Sequence, residues 1–166
     1  MTQARWLTPV EREAWLATLA FVETVPAVVD AHLRREWGLT RYEYYVLAML
    51  SEVDGGVRPM SDLASLTNGS LSRLSHAVGK LEKRGLVSRY PKPEDRRTTL
   101  VELSEGGRAL IVEAAPSHVE EVRRIVFDRI AADQVEPFTR MLRAVVECDD
   151  DTACVDEAIG RSLTEE

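Results

Sequence analysis

The sequence contains little cysteine and few aromatic residues, and it has no long uninterrupted apolar run. Its 166 residues include two cysteines, too few for a disulfide framework. Because no stretch of about 18 or more apolar residues is present and the charged N-terminus lacks the apolar core of a signal peptide, we expect a cytoplasmic protein without a membrane span. A glycine-rich phosphate loop and the HExxH and GxSxG motifs are also missing, so nothing favours an enzyme.

The two cysteines, Cys148 and Cys154, lie near the C-terminus and are not spaced as a CxxC pair. The simplest interpretation is that they are incidental thiols. A redox switch is the alternative, and it would need an exposed thiolate with a low pKa. The acidic residues at 149–151 oppose thiolate formation.

The net charge is −7, but positive charge is concentrated in one window. Residues 1–57 carry a net charge of −3 and residues 100–166 a net charge of −9. Residues 58–99 hold nine Lys and Arg residues against four Asp and Glu, a net charge of +5. A local basic surface is what phosphate binding requires, whatever the sign of the whole chain. The distribution favours nucleic-acid binding, with a solvated charged face as the alternative.

Capping signals predict a mainly helical chain. Thr8 and Pro9 predict the start of a long helix that ends at Gly38, and Thr40 with Glu43 forms a capping box for the next helix. Further helix starts are predicted at Ser61, Ser70, Ser104 and Asp133, and the helix that starts at Ser104 is predicted to end at about Ile130. Two β-prone segments, 86–90 and 98–103, flank a proline-rich charged turn and predict a protruding hairpin.

From Thr40 onward the predicted order is helix, short helix, turn, helix and hairpin, which is the order of a winged helix-turn-helix. In that motif the second helix enters the major groove of DNA. Its buried stripe is predicted to comprise Leu71, Leu74, Val78 and Leu81. A basic stripe comprises Arg73, His76, Lys80 and Lys83. The basic stripe starts two residues later, about 200° around the helix, and so faces away from the core.

The start of this helix supplies the predicted DNA contacts. Ser70 and Ser72 carry small hydroxyl groups that allow a close approach and can bond phosphates or base edges. Arg73 is the best candidate for reading a base, because a guanidinium can bind guanine at two atoms. His76 and Lys80 are expected on bases or on the backbone. The alternative is a solvated amphipathic helix.

The hairpin supplies a second set of predicted contacts. Arg89, Lys92, Arg96 and Arg97 place four cations within nine residues. An arginine on a thin loop can enter the minor groove, where the negative potential is strong. Asp95 is expected to orient Arg97 through a carboxylate–guanidinium pair. The alternative is an exposed turn with an ordinary surface ion pair, which contributes little.

These motifs resemble those of the MarR family of winged helix-turn-helix regulators. The family pattern is a recognition helix ending in Leu-Glu-x-x-Gly-Leu-Val, an Asp-x-Arg wing and a Leu-Thr-x-x-Gly entry to the next helix. Here Ser104 stands where threonine is usual, a conservative departure. The resemblance covers about residues 8–148. The matching stretches are Gly38-Leu39-Thr40, Leu63-Ala64, Ser72-Arg73-Leu74, the run from Lys80 to Arg89, Asp95-Arg96-Arg97 and the run from Val101 to Gly107.

The resemblance implies a mainly α fold with a small β-hairpin wing, in a homodimer that binds a pseudo-palindromic DNA operator. It implies a repressor, and many repressors of this family release DNA on binding a small, often phenolic, molecule. It also implies that Arg97 is the wing arginine and Asp95 its partner. It divides one domain into dimerisation helices at 1–37 and 105–148, a DNA-binding lobe at 38–104 and an acidic tail at 149–166. Apolar stripes within 15–33 and 135–146 independently favour a two-fold interface.

An effector site is expected between the dimerisation helices and the DNA-binding lobe. The aromatic candidates are Trp15, His32, Trp37, Tyr44 and Tyr45, although each alone is more often a core residue. The histidines have no compact ligand spacing, so we expect no metal and no cofactor. Two alternatives stay open: a redox- or metal-responsive regulator of the same fold, and a winged-helix module that binds proteins without binding DNA.

Overall fold

The computed structural model describes residues 4–146, and within them the protein is mainly helical with one small antiparallel sheet. The predicted fold class is confirmed. Cys148, Cys154 and the acidic tail lie outside the described residues. The helices are α1 (Pro9–Trp37), α2 (Arg41–Ser51), α3 (Met60–Leu66), α4 (Leu71–Lys83), α5 (Glu105–Ile125) and α6 (Val135–Val146). The strands are β1 (Val57–Pro59), β2 (Val87–Lys92) and β3 (Asp95–Leu103), in the order β1-β3-β2.

The predicted caps of the first two helices are confirmed. Both helices begin with a capping box, in which Thr8 pairs with Glu11 and Thr40 pairs with Glu43. Each threonine hydroxyl accepts from the backbone N–H of its glutamate, and each carboxylate accepts from the backbone N–H of its threonine. Gly38 ends α1 with φ at 63°, in the left-handed region that favours glycine.

Three predicted boundaries were wrong. Helix α3 begins directly after Pro59, so Ser61 lies inside the helix and its hydroxyl bonds the carboxylate of Asp62. Helix α5 ends at Ile125 instead of Ile130, because Val126 has non-helical backbone angles. The last helix begins after a short 3-10 turn, Ala132–Gln134, instead of at Asp133.

The core lies between the C-terminal half of α1, the helices α2, α3, α4 and α5, and the sheet. Its fully buried side chains are Leu33, Leu39, Val46, Leu47, Leu50, Leu63, Leu74, Val78, Leu81 and Val101. Each such aliphatic side chain contributes roughly 1.5–3 kcal/mol of transfer free energy on burial. Leu71 was wrongly predicted to join them. It is 58% exposed, because the first turn of α4 extends beyond the core, and Ala77 is buried instead.

The N-terminal half of α1 and helix α6 share an exposed apolar surface. Phe21 of α1 meets Phe138 of α6 edge to face, with ring centroids 6.1 Å apart. Trp15 is 53% exposed on α1, and Met141 is 60% exposed on α6. By length and composition α1 also qualifies as a helix able to cross a membrane, which the sequence analysis did not anticipate. One such helix is weak evidence for a membrane span.

Candidate nucleic-acid interface

Helix α4 presents one face to the core and the opposite face to solvent. Ser70 caps it by accepting a hydrogen bond from the backbone N–H of Arg73 at 3.2 Å. The inner face is formed by Leu74, Ala77, Val78 and Leu81. The outer face opens onto a groove of about 550 Å³ between α4 and the hairpin. That groove is lined by Ser72, Ser75, His76, Gly79, Lys80, Glu82, Lys83 and Arg89.

The centre of the outer face is built from small side chains. Ser72, Ser75 and Gly79 follow one another at helical spacing, and the nearest atom to a Cβ placed on Gly79 would be Nη2 of Arg89, 3.9 Å away. A shallow helix surface of this kind can approach base edges in a major groove closely. Gly79 was not among the predicted contact residues, although its helical spacing from the two serines was visible in the sequence.

The predicted basic stripe borders two grooves. Lys83 lines the groove beside the hairpin, and Arg73 lies on the flank of α4 that faces α2. His76 and Lys80 lie between them and border both grooves. The guanidinium carbon of Arg73 stands 4.1 Å from the centroid of the Tyr42 ring, and Nζ of Lys80 lies 3.9 Å from Oε1 of Glu43. The Lys80 side chain is 54% exposed, so its contact with Glu43 leaves it accessible to a phosphate.

Arg89 links the hairpin to α4 and does not stand alone as a hairpin cation. Its Nη2 and Nε atoms donate to Oε2 of Glu82 at 2.7 Å and 3.2 Å. These hydrogen bonds hold the pKa of the Glu82 carboxyl below its usual value. Of the four cations predicted on the hairpin, Arg89 is therefore paired with an acidic side chain of α4.

The predicted carboxylate–guanidinium pair between Asp95 and Arg97 was wrong. Asp95 begins β3, and its carboxylate accepts from the backbone N–H of Arg97 at 3.1 Å and from the Thr98 hydroxyl at 2.8 Å. These hydrogen bonds, the one from Thr98 foremost, lower the pKa of Asp95. An aspartate side chain is short, so its carboxylate readily bonds the backbone N–H two residues further along the chain. Asp95 therefore fixes the hairpin turn.

The other hairpin cations are exposed. Lys92 lies opposite Asp95 in the strand register, and Arg96 and Arg97 follow on β3. Within residues 4–146, no acidic side chain lies within ion-pair distance of either arginine. Arg97 also borders a second groove of about 420 Å³. That groove is lined by Met60, Ser61, Leu71, Ser75, Arg89, Arg97, Thr98 and Thr99.

Three of the five aromatic effector candidates converge on two adjacent residues of α5. The indole N–H of Trp37 donates to the Ser117 hydroxyl at 2.9 Å, and Nε2 of His32 lies 3.4 Å from the same oxygen. The Tyr44 ring packs on His118 with centroids 4.4 Å apart. We call these five residues the α5 cluster.

The α5 cluster contains a buried polar atom without a partner. Nδ1 of His118 is buried and makes no hydrogen bond within the described chain. Burial, and after it the proximity of His32, lowers the pKa of His118. Ser117 and His118 were not predicted as effector-site residues, because their partners lie about 80 residues away in the chain.

The remaining two candidates lie elsewhere. Trp15 and His32 are 17 residues apart on one helix, a separation of about 25 Å along its axis. Tyr45 packs against the core, and its burial raises its pKa. Over the described part of the chain, no group of three or more His, Cys, Asp or Glu side chains is arranged to hold a metal ion.

The fold and this surface define a winged helix-turn-helix DNA-binding protein, and comparison with known proteins identifies the family. A sequence profile of the MarR family matches residues 37–98. The regulator MhqR of Bacillus subtilis is 30% identical over 118 residues, which span 70% of this chain and 78% of MhqR. The crystal structure of Sco3205 from Streptomyces coelicolor, a MarR family regulator in complex with DNA, superposes with a TM-score of 0.86 at 31% identity, over 93% of this chain and 98% of Sco3205. The chain belongs to the MarR family of transcriptional regulators.

Two further comparisons carry information about regulation in relatives. The transcriptional repressor IacR of Pseudomonas putida is 32% identical over 104 residues, which span 60% of this chain and 58% of IacR. The structure of CouR from Rhodococcus jostii, bound to p-coumaroyl-CoA, superposes with a TM-score of 0.68 at 26% identity. It covers 84% of this chain and 95% of CouR. As a member of the MarR family of transcriptional regulators, the chain described here is a DNA-binding regulator, not an enzyme.

Proposed function

We propose that this regulator is a homodimeric repressor that binds a pseudo-palindromic operator and leaves it when a small aromatic effector binds. The observation that carries the proposal is the shallow outer face of α4, with the exposed cations of the hairpin beside it. A helix of this shape fits the major groove, and a hairpin arginine at its side can reach the adjacent minor groove.

The proposed contacts follow from these positions. Ser72 and His76 face the groove between α4 and the hairpin, where base edges would lie. Arg73 reaches the DNA from the flank nearest α2, and Arg97 enters the minor groove. The backbone contacts are assigned to Ser70, Lys80, Lys92 and Arg96. The turn made by Asp95 holds the hairpin in the shape that presents Arg97.

The exposed apolar surface of α1 and α6 supports a homodimer. Trp15, Leu19 and Val22 lie on α1 and are between 38% and 53% exposed, while Met141 and Val145 of α6 are 60% and 79% exposed. An apolar surface of this extent is usually covered in a soluble protein, and a two-fold interface is the commonest cover. Residues 1–37 and 105–148 are therefore assigned to dimerisation and residues 38–104 to DNA binding. Two copies of α4 would then lie about 34–36 Å apart, one turn of DNA.

The α5 cluster supports an effector site. Its aromatic rings, one shared hydroxyl and an unpartnered imidazole nitrogen are groups that would bind a planar molecule with a polar substituent. CouR, a structural relative, binds the coenzyme A ester of a phenolic acid, and IacR is a repressor. We propose a phenolic or other small aromatic effector for this chain.

Operator binding is tested by titrating the protein into DNA from the region next to its own gene at two salt concentrations. Tight, saturable binding that weakens steeply with salt is expected. Arg73→Ala should weaken binding by about 1–3 kcal/mol if its contact is bidentate. Arg140→Ala, which removes the same charge from α6, should leave the operator affinity unchanged. A folded protein that does not bind, or an Arg140→Ala variant as weak as Arg73→Ala, contradicts the assignment.

Dimerisation and release need separate measurements. Light scattering after gel filtration should give twice the mass of the chain, whereas a monomer would contradict the assignment of α1 and α6. A panel of phenolic acids and their thioesters should include compounds that release the operator complex. Trp37→Phe, which removes the N–H donated to Ser117, should weaken that release without weakening DNA binding. Release that is equally efficient in this variant would place the effector elsewhere.

We also propose a cytoplasmic location. The apolar side of α1 is continuous with that of α6 through the contact between Phe21 and Phe138. A protein–protein interface explains this apolar surface, so no membrane is needed to cover it. Fractionation of cells should recover the protein with the soluble fraction. Recovery in a membrane pellet that withstands an alkaline wash would contradict this proposal.

A further inference from the structure

Tyr42 is a nearly buried tyrosine in the first turn of α2, placed between α3 and α4. Its side chain is 8% exposed, and its hydroxyl lies 2.9 Å from the Thr67 hydroxyl. Thr67 in turn donates to the carbonyl oxygen of Leu63 at 2.6 Å. The ring is therefore held at its outer end by the turn that connects α3 to α4.

The turn is shaped around this ring. Gly69 packs so closely on Tyr42 that an added Cβ would overlap the phenolic oxygen. Asn68, just before it, has a positive φ of 46°, a conformation that asparagine tolerates better than most residues. Because Thr67 and Gly69 confine the hydroxyl end of the ring, Tyr42 has little freedom to change its rotamer.

Arg73 lies over the exposed face of this ring. Its guanidinium carbon is 4.1 Å from the ring centroid, within the range of a cation–π contact. A guanidinium that lies flat on an aromatic ring keeps its N–H groups, which are in its own plane, free to donate. Arginine has many rotamers in solution, and ordering them on binding costs affinity. A guanidinium already stacked in the free protein avoids part of that cost.

We propose that Tyr42 is a positioning residue for DNA recognition, which holds the guanidinium of Arg73 in the orientation used on the operator. This inference rests on the proposed contact between Arg73 and DNA. Tyr42 does not itself need to touch DNA, because it acts through Arg73. The turn at 67–69 contributes by fixing the ring.

A double-mutant cycle with operator DNA tests the proposal. Tyr42→Leu should lower the operator affinity by about two- to tenfold, the loss expected for one cation–π contact that also orders the side chain. The same change made in an Arg73→Ala background should have no further effect, because the group that Tyr42 positions is then absent. Losses that multiply independently would show that Tyr42 does not act through Arg73 and would overturn the proposal.

Tyr42→Phe is the matched control. It keeps the ring that supports Arg73 and removes the hydroxyl, while Thr67 keeps its hydrogen bond to Leu63. The Phe variant should bind within about twofold of the wild type, because the cation–π contact is retained. An affinity as low as that of Tyr42→Leu would assign the effect to the hydroxyl and contradict the role of the ring.

A measurement on the wild-type protein keeps the proposal testable if Tyr42→Leu does not fold. Protons on a guanidinium stacked at this distance lie in the ring current of the tyrosine, so the Arg73 side-chain resonances should be shifted upfield in the free protein. Resonances at their ordinary positions would overturn the proposal. If wild-type protein binds the operator but Arg73→Ala binds equally well, the Arg73 contact fails and this inference fails with it, while the DNA-binding function stands.

Discussion

Gly79 provides a test that separates the stability of the fold from its fit to DNA. The residue lies in the interior of α4 on the outer face, and a Cβ there would have Nη2 of Arg89 at 3.9 Å as its nearest neighbour. The change considered is Gly79→Leu. It adds a four-carbon side chain to a face that has ample space in the free protein.

The expected effect on stability is favourable. Leucine in a helix interior is more stable than glycine by close to 1 kcal/mol, because glycine loses more backbone entropy on folding. For a chain of this length, 1 kcal/mol corresponds to a rise of about 2–4 °C in Tm. A thermal melt followed by circular dichroism measures it directly.

The expected effect on operator binding is the opposite. A leucine between Ser75 and Lys83 would prevent the helix from reaching the base edges, and each lost base contact costs about 1–3 kcal/mol. The loss of one base contact should therefore lower the operator affinity by about five- to 150-fold, since 1.4 kcal/mol is a factor of ten. Binding to unrelated DNA should change little, because it depends on phosphate contacts.

Gly79→Ala is the control for this experiment. It gives a similar gain in helix stability with a single methyl group, so its operator affinity should lie between those of the wild type and Gly79→Leu. A Gly79→Leu protein that is stabilised and still binds with wild-type affinity would refute the placement of this face in the groove. A lower Tm would contradict the structure, in which a side chain at position 79 has room on the outer face of α4.

Three further predictions follow from other contacts. Arg97→Ala should weaken operator binding and leave the mass of the dimer unchanged in light scattering, whereas dissociation would place Arg97 in the wrong part of the molecule. Gly107→Ala should lower the free energy of unfolding by about 1–3 kcal/mol in urea titrations, because the added Cβ would overlap the Leu86 carbonyl oxygen; an unchanged midpoint would contradict that packing. Because the pKa of His118 is lowered below 6.5 in the folded protein, the unfolded chain takes up the proton first as the pH falls. The free energy of unfolding should therefore decline below about pH 6.5, and His118→Gln should flatten that decline if the assignment is correct.

Local signals were readable from the sequence because they involve residues close together in the chain. The capping boxes at Thr8 and Thr40 and the αL residue Gly38 each depend on neighbours within four positions. The placement of α4 followed from the period of its apolar residues. The MarR resemblance rested on the same local stretches and set their order along the chain.

The errors concern contacts that only the tertiary structure defines. Leu71 keeps the helical period of the core stripe, but the first turn of α4 extends past the packed layer. Arg89 was counted with the hairpin cations because its partner, Glu82, lies on a different element. Strand β1 was not predicted, because its three residues are too few to show the alternation of apolar and polar residues that indicates a strand. Ser117 and His118 had no local signal at all.

Helix α2 carries contacts to both proposed sites on three consecutive residues. Tyr42 supports Arg73 of α4, Glu43 caps α2 itself and approaches Lys80, and Tyr44 packs on His118 of α5. Tyr42 and Tyr44 are two positions apart on one helix, a rise of about 3 Å, so a displacement of the backbone at one is largely shared by the other. Under the proposed function, an effector that separates Tyr44 from His118 by displacing α2 also displaces the ring that contacts Arg73. Release of DNA would then need only a small shift of one helix, because the group that reads DNA rests on the same helix that lines the effector site.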